Sequence, residues 1–196
     1  MGRRTLLGWS GVGLLAGLVA HLLAGLPVGA AQAAAAPACA GLGAQLAIAV
    51  GMLVLTAAVH SLVTVIQVEL AHRPRLDAWC APRSYRRLLL ILAMALLTAL
   101  ALLVEILLWA LVYRGLGLFA GLEASVYFSG ITFTTVGYGD MTLPQCWRLL
   151  SVAEAVNGVL MAGWSTAQLV YVVQRIMVFR LEVEGRLPPE LPPGQP

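Results

Sequence analysis

Long apolar runs, separated by arginines or by breaks of glycine and proline, constrain this chain more than any other feature. Four emerge, from about Leu6 to Leu26, Leu42 to Val68, Leu88 to Tyr113 and Leu149 to Met177. Each meets the length of about 20 apolar residues that a helix needs to cross a bilayer. Of the 196 residues, 60% are hydrophobic and 11% charged, whereas a soluble domain carries about 25% charged residues. The expected fold is therefore all-α and membrane-integral, with four transmembrane helices.

Charge orients these spans. The net charge of +3 comes from arginine alone, since the chain has no lysine. The arginines gather beside span ends, which reads as membrane orientation and not as nucleic-acid binding. Arg73, Arg75, Arg83, Arg86 and Arg87 fall in the stretch 69–87, while 27–41 holds no charge. The positive-inside rule then places both termini and the basic loop 69–87 in the cytoplasm, and 114–148 outside. No span repeats arginine every third residue, so no voltage-sensing helix is expected.

Within that outer segment lies Thr134-Thr135-Val136-Gly137-Tyr138-Gly139-Asp140. Gly137 and Gly139 can enter backbone conformations closed to other residues. Such a backbone can turn the carbonyls of Thr135, Val136, Gly137 and Tyr138 toward one axis, with the Thr135 hydroxyl adding an oxygen at the inner mouth. Val136 and the Tyr138 ring are then expected to pack behind the loop. Irregular backbone at membrane depth is tolerated only where it is buried in protein or lines a cavity. A one-sided loop cannot enclose an ion, so several copies are needed.

The motif contains TVGYG, and with its flanks the chain resembles the pore module of potassium channels over residues 88–178, in the manner of a bacterial four-span group with a single pore loop. The resemblance implies an outer helix at 88–113, a re-entrant pore helix at 122–133, a filter at 134–139 and an inner helix at 149–177. It implies a homotetramer in the cell (inner) membrane that passes K+ down its gradient, selected by four copies of the filter. The ion-binding residues would be Thr134, Thr135, Val136, Gly137, Tyr138 and Gly139, with K+ held at Thr135, Val136, Gly137 and Tyr138. Asp140 would brace the filter or gather cations at the mouth, and Tyr127 and Phe128 lie where the family has an aromatic cuff. Gly158 occupies the family's hinge position, with Ala162 and Thr166 as candidates to line the cavity; close packing is the other use for Gly158. Glu123, near the start of the pore helix, suits the positive end of its dipole. K+ and membrane lipid are the expected partners, with no cofactor. A non-conducting or weakly selective accessory or sensor protein is the alternative.

Several features stand apart from the pore. Residues 1–68 form an N-terminal helical hairpin, and its first span, preceded by Arg3 and Arg4, resembles a secretory signal but is longer than one. Ionisable groups at membrane depth are functional candidates. Here they are His60 and the candidate modulatory carboxylates Glu105 and Glu154, the latter placed either under the pore helix, tuning the filter, or toward the cavity. Glu105 is expected to face protein, with His60 or a polar pore-helix group as partner. Cys39 and Cys146 both fall on the outer side, where an oxidising periplasm leaves a bridge open, but unrelated thiols are the expectation. Gly163-Trp164-Ser165-Thr166-Ala167 falls short of a GxSxG elbow and lacks its strand-turn-helix context, so no enzyme is expected. Residues 179–196 read as a flexible cytoplasmic tail with no sensing domain, and the gating stimulus is not legible.

Overall fold

The computed structural model describes residues 39–74, 76, 79 and 83–183, with side chains to residue 178. The expected span at Leu6–Leu26, Arg75, Cys80 and the proline-rich tail beyond residue 183 lie outside the described residues. The rest is an all-α bundle. Helix α1 spans Leu42–Ala71, α2 Ser84–Gly115, α3 Leu122–Phe133 and α4 Arg148–Val183, with a 3-10 turn Gln145–Trp147 ahead of α4. Three of these segments, Leu42–Ala71, Ser84–Gly115 and Gln145–Val178, are long and apolar enough to cross a membrane.

The helices run past the apolar residues that announce them. The basic stretch 69–87 is shorter as a connection than expected, because α1 continues to Ala71 and α2 already begins at Ser84. Arg86 and Arg87 therefore belong to the first turn of α2. Apolarity reports how much helix sits in hydrocarbon, while arginine is itself a good helix former and lets the helix extend beyond it.

Helix order in space follows from side-chain pairs. Cys39–Cys146, Thr56–Asn157, His60–Ser165 and His72–Tyr171 step along α1 and α4 in the same direction, so these two helices are parallel neighbours. Pairs His60–Glu105 and Gln67–Thr98 step in opposite directions, making α2 antiparallel to α1. The short helix α3 packs between α2 and α4.

Apolarity does not separate the inside of this bundle from its outside. Leu46, Val50, Val54, Leu92, Leu96 and Leu103 are exposed, while Thr56, His60, Gln67, Thr98, Glu105, Glu154 and Asn157 are buried. Lipid tails are as apolar as leucine, so helices in a bilayer associate through packing and interhelical hydrogen bonds. Gln67 Nε2 donates to Thr98 Oγ1 at 2.9 Å, and Asn157 Nδ2 donates to Thr56 Oγ1 at 2.8 Å. Each such bond contributes about 0.6 kcal/mol on average. They choose which faces meet; packing supplies most of the cohesion.

That packing centres on aromatic rings. Tyr113 meets Phe128 edge-on with centroids 5.2 Å apart, and Phe119 lies 5.0 Å from Phe128. Met52, Leu108, Trp109, Leu143, Trp147, Leu150 and Met161 complete the cluster, joining α1, α2 and α4 around α3. A second, smaller cluster of Met94, Val172 and Ile176 closes α2 on α4 toward the other end.

Cys39 and Cys146 form a disulfide, with Cα atoms 5.5 Å apart. This corrects the expectation of unrelated thiols. Cys39 precedes α1 and Cys146 precedes α4, and the two helices begin side by side, which the separate sequences of the spans do not reveal. Protein denatured without reductant is expected to show one reactive thiol per chain of its three cysteines, and three after reduction. Three before reduction would remove the bridge.

Candidate functional site

The loop after α3 is built by a division of backbone donors from acceptors. The N–H groups of Thr134, Thr135 and Gly137 donate to the carbonyls of Gly130, Thr132 and Ile131, at 3.1, 2.9 and 3.0 Å. The loop thus folds back on α3 and satisfies carbonyls that a helix end leaves without partners. Among the described residues, no carbonyl of 134–140 accepts a backbone hydrogen bond. A row of oxygen acceptors is left over.

Dihedral angles fix how that row is arranged. Thr135, Gly137 and Gly139 have φ of 61°, 49° and 79°, while Val136 and Tyr138 keep negative φ. Alternating the sign of φ flips every second peptide plane, so successive carbonyls that would alternate in a strand are brought toward one side. Glycine serves at 137 and 139 for this reason. Thr135 adopts the left-handed region without that freedom, a strain of the kind that persists where surrounding structure imposes it. The sequence reading named the two glycines and missed Thr135, because threonine gives no local sign of positive φ.

Residues 134–140 are exposed on the single chain. Tyr138 is 73% and Val136 50% exposed there. Two side chains are tied back to α3: Thr134 Oγ1 donates to the Gly130 carbonyl at 2.6 Å, and Asp140 accepts a hydrogen bond from Tyr127 Oη at 2.7 Å. That bond and the neighbouring carboxylate push the Tyr127 phenol above its ordinary pKa. The contact joins α3 to the end of the loop. Phe128 lies inward, in the aromatic cluster with Tyr113 and Phe119.

Behind the loop, α3 is pressed against α4. A Cβ built on Gly158 would lie 1.8 Å from the Phe133 carbonyl oxygen, so the glycine allows the end of α3 to touch the α4 backbone. Helix α4 continues through this point from Arg148 to Val183. Ala162 and Thr166, further along, are exposed on the single chain.

Two buried carboxylates hold the surrounding helices. Glu154 is fully buried, with Oε2 2.6 Å from Tyr113 Oη of α2 and Oε1 2.5 Å from Ser129 Oγ of α3. It sits under α3 and not on the exposed face of α4, which decides between the two positions open from sequence. Glu105 is fully buried on α2, with Oε1 2.8 Å from His60 Nδ1 of α1, one of the two partners open to it from sequence. His60 Nε2 in turn lies 3.4 Å from Ser165 Oγ of α4.

Ser165, His60 and Glu105 thereby stand in the order of nucleophile, base and orienting acid. The resemblance to a hydrolase ends there. Ser165 lies within continuous α4, where neighbouring N–H groups are consumed by the helix and cannot form an oxyanion hole. The arrangement is a polar clasp of three helices at membrane depth.

Residues 101–175, from the middle of α2 into α4, match a family model described as ion channel. An ion-channel-family domain is therefore present, and it includes α3, the 134–140 loop, Glu105 and Glu154. No curated protein and no solved structure matches the chain.

Gly158→Ala discriminates contact from simple bending. An uncrowded helical glycine replaced by alanine gains about 1 kcal/mol, whereas overpacking costs about 1–3 kcal/mol. The thermal midpoint of the variant in detergent is expected to fall. A rise would show that the Phe133 approach does not constrain this position.

Proposed function

We propose that the chain forms a potassium-selective pore, a homotetramer in which four copies of residues 134–139 surround a common axis. The observation that carries this reading is the row of unpartnered carbonyls with φ alternating in sign at 135, 137 and 139. Such a row offers a dehydrating cation oxygen dipoles in place of its water, the means by which backbone-lined filters select K+. Sites for K+ are proposed at the carbonyls of Thr135, Val136, Gly137 and Tyr138, with the Thr135 hydroxyl at the inner end. Asp140 would hold the outer end through Tyr127.

Assembly is supported by what one chain leaves uncovered. Irregular backbone with free carbonyls cannot face hydrocarbon, and it needs protein or a water-filled cavity around it. Further copies would cover Val136 and Tyr138 and close the ring of oxygens. In that arrangement α2 is the outer helix, α3 the re-entrant pore helix and α4 the inner helix, with Ala162 and Thr166 turned to the cavity and Gly158 available as a hinge only if its contact with Phe133 is released. Helix α1, beside α4, belongs to an N-terminal pair whose first member would be the span at Leu6–Leu26, and the termini would be cytoplasmic.

Purified protein in planar bilayers, with potassium on one side and sodium on the other, is expected to give a reversal potential set by potassium. Tyr138→Asp is expected to move that potential toward zero. A wild-type reversal near zero would defeat selectivity, and absence of current would favour an accessory role.

A further inference from the structure

The contacts around Glu154 contain one more proton than their hydroxyl groups can supply. Three oxygen–oxygen contacts run in series: Tyr113 Oη to Glu154 Oε2 at 2.6 Å, Glu154 Oε1 to Ser129 Oγ at 2.5 Å, and Ser129 Oγ to the Ile106 carbonyl at 2.8 Å. All are within hydrogen-bonding distance, so each needs a proton between its oxygens. The phenol and the hydroxyl bring one proton each. The Ile106 carbonyl can only accept, so it takes the Ser129 proton. Tyr113 gives its proton to Oε2. The contact between Ser129 Oγ and Glu154 Oε1 then has no proton unless the carboxyl carries it.

Burial agrees with the count. Glu154, Ser129 and Tyr113 are each fully buried, and Glu154 forms no salt bridge among the described residues. An ionised carboxylate at such a place is costly unless it is paired. As the neutral acid it donates once and accepts once, and every polar atom in the series has a partner.

We propose that Glu154 is held as the neutral acid and is a positioning residue for the 134–139 loop, locking α3 to α2 and α4 through a directed chain from Tyr113 through Glu154 and Ser129 to Ile106. Part of this inference, the effect on ion selection, rests on the pore reading above; the proton count does not. Ser129 directly precedes the α3 residues 130–132 whose carbonyls receive the loop N–H groups, so a shift of α3 at Ser129 moves that whole set of acceptors. A neutral clasp also adds no fixed negative charge behind the row. Conduction needs ions to bind weakly enough to leave, and a buried anion behind the loop would hold them more firmly.

Infrared spectra of the full-length protein in lipid at neutral pH test the proton count. The wild-type minus Glu154→Gln difference is expected to show loss of a carboxylic-acid carbonyl band that shifts in heavy water. Ser129→Ala is expected to keep that band but move it to higher frequency, since the acid loses its acceptor. Loss of a carboxylate band in place of the acid band would overturn the inference. Bi-ionic reversal potentials test positioning: glutamine can donate to Ser129 and accept from Tyr113, so Glu154→Gln is expected to restore the potassium preference that Glu154→Leu loses. Equal preference in Glu154→Leu and wild type, or loss in Glu154→Gln, would overturn the positioning role. Wild-type protein without potassium preference would instead defeat the pore reading, leaving the infrared result to decide the state of Glu154. If Glu154→Leu does not fold, the glutamine and Ser129→Ala spectra still decide it.

Discussion

Carbonyl groups without partners cannot be left in hydrocarbon, and the arrangement around residues 134–139 answers to that rule. The loop spends its N–H groups on the end of α3 and keeps its carbonyls free. It is stable only if α3 itself cannot move. Three separate contacts see to this. Gly158 admits the Phe133 carbonyl against α4, Glu154 joins Ser129 to Tyr113, and Phe128 is enclosed by Tyr113 and Phe119. They come from α4, α2 and the segment at Phe119 and differ in kind, so displacement of α3 would break polar, steric and aromatic contacts together.

The same solvent logic explains why the interior of the bundle is its polar part. In water, burial selects leucine and valine; in lipid those residues gain little by turning inward, and hydrogen-bonding side chains are the ones that require a partner. Helix α1 shows this along its length. Its inward positions include Thr56, His60 and Gln67, and its outward ones Leu46, Val50 and Val54. Through Asn157 and Ser165 it grips α4 on both sides of Met161, and through Glu105 and Thr98 it grips α2. The disulfide adds a covalent tie at the end nearest the loop. Helix α1 is thus part of the frame around α3's two neighbours.

Much of this was legible before any coordinates. The apolar runs announced α1, α2 and α4, because hydropathy reports directly on which residues can sit in a bilayer. The alternate glycines at 137 and 139 marked the loop, since it depends on local backbone freedom, and the short helix at 122–133 was implied by the resemblance. Glu105 could be assigned to face protein because a carboxylate in lipid is costly. Helix ends were less legible, since arginine-rich turns extend a helix beyond its apolar part.

What remained hidden were the facts that depend on which helices are neighbours. That α1 and α4 run side by side brought Cys39 to Cys146, contrary to expectation, and set His60 between Glu105 and Ser165. The approach of Phe133 to Gly158 and the place of Glu154 beneath Ser129 are likewise properties of packing. A sequence determines locally what each stretch can do: cross a bilayer, turn, or expose a carbonyl. Only the tertiary structure decides which distant groups share a proton or a van der Waals contact, because such contacts depend on the relative placement of whole helices.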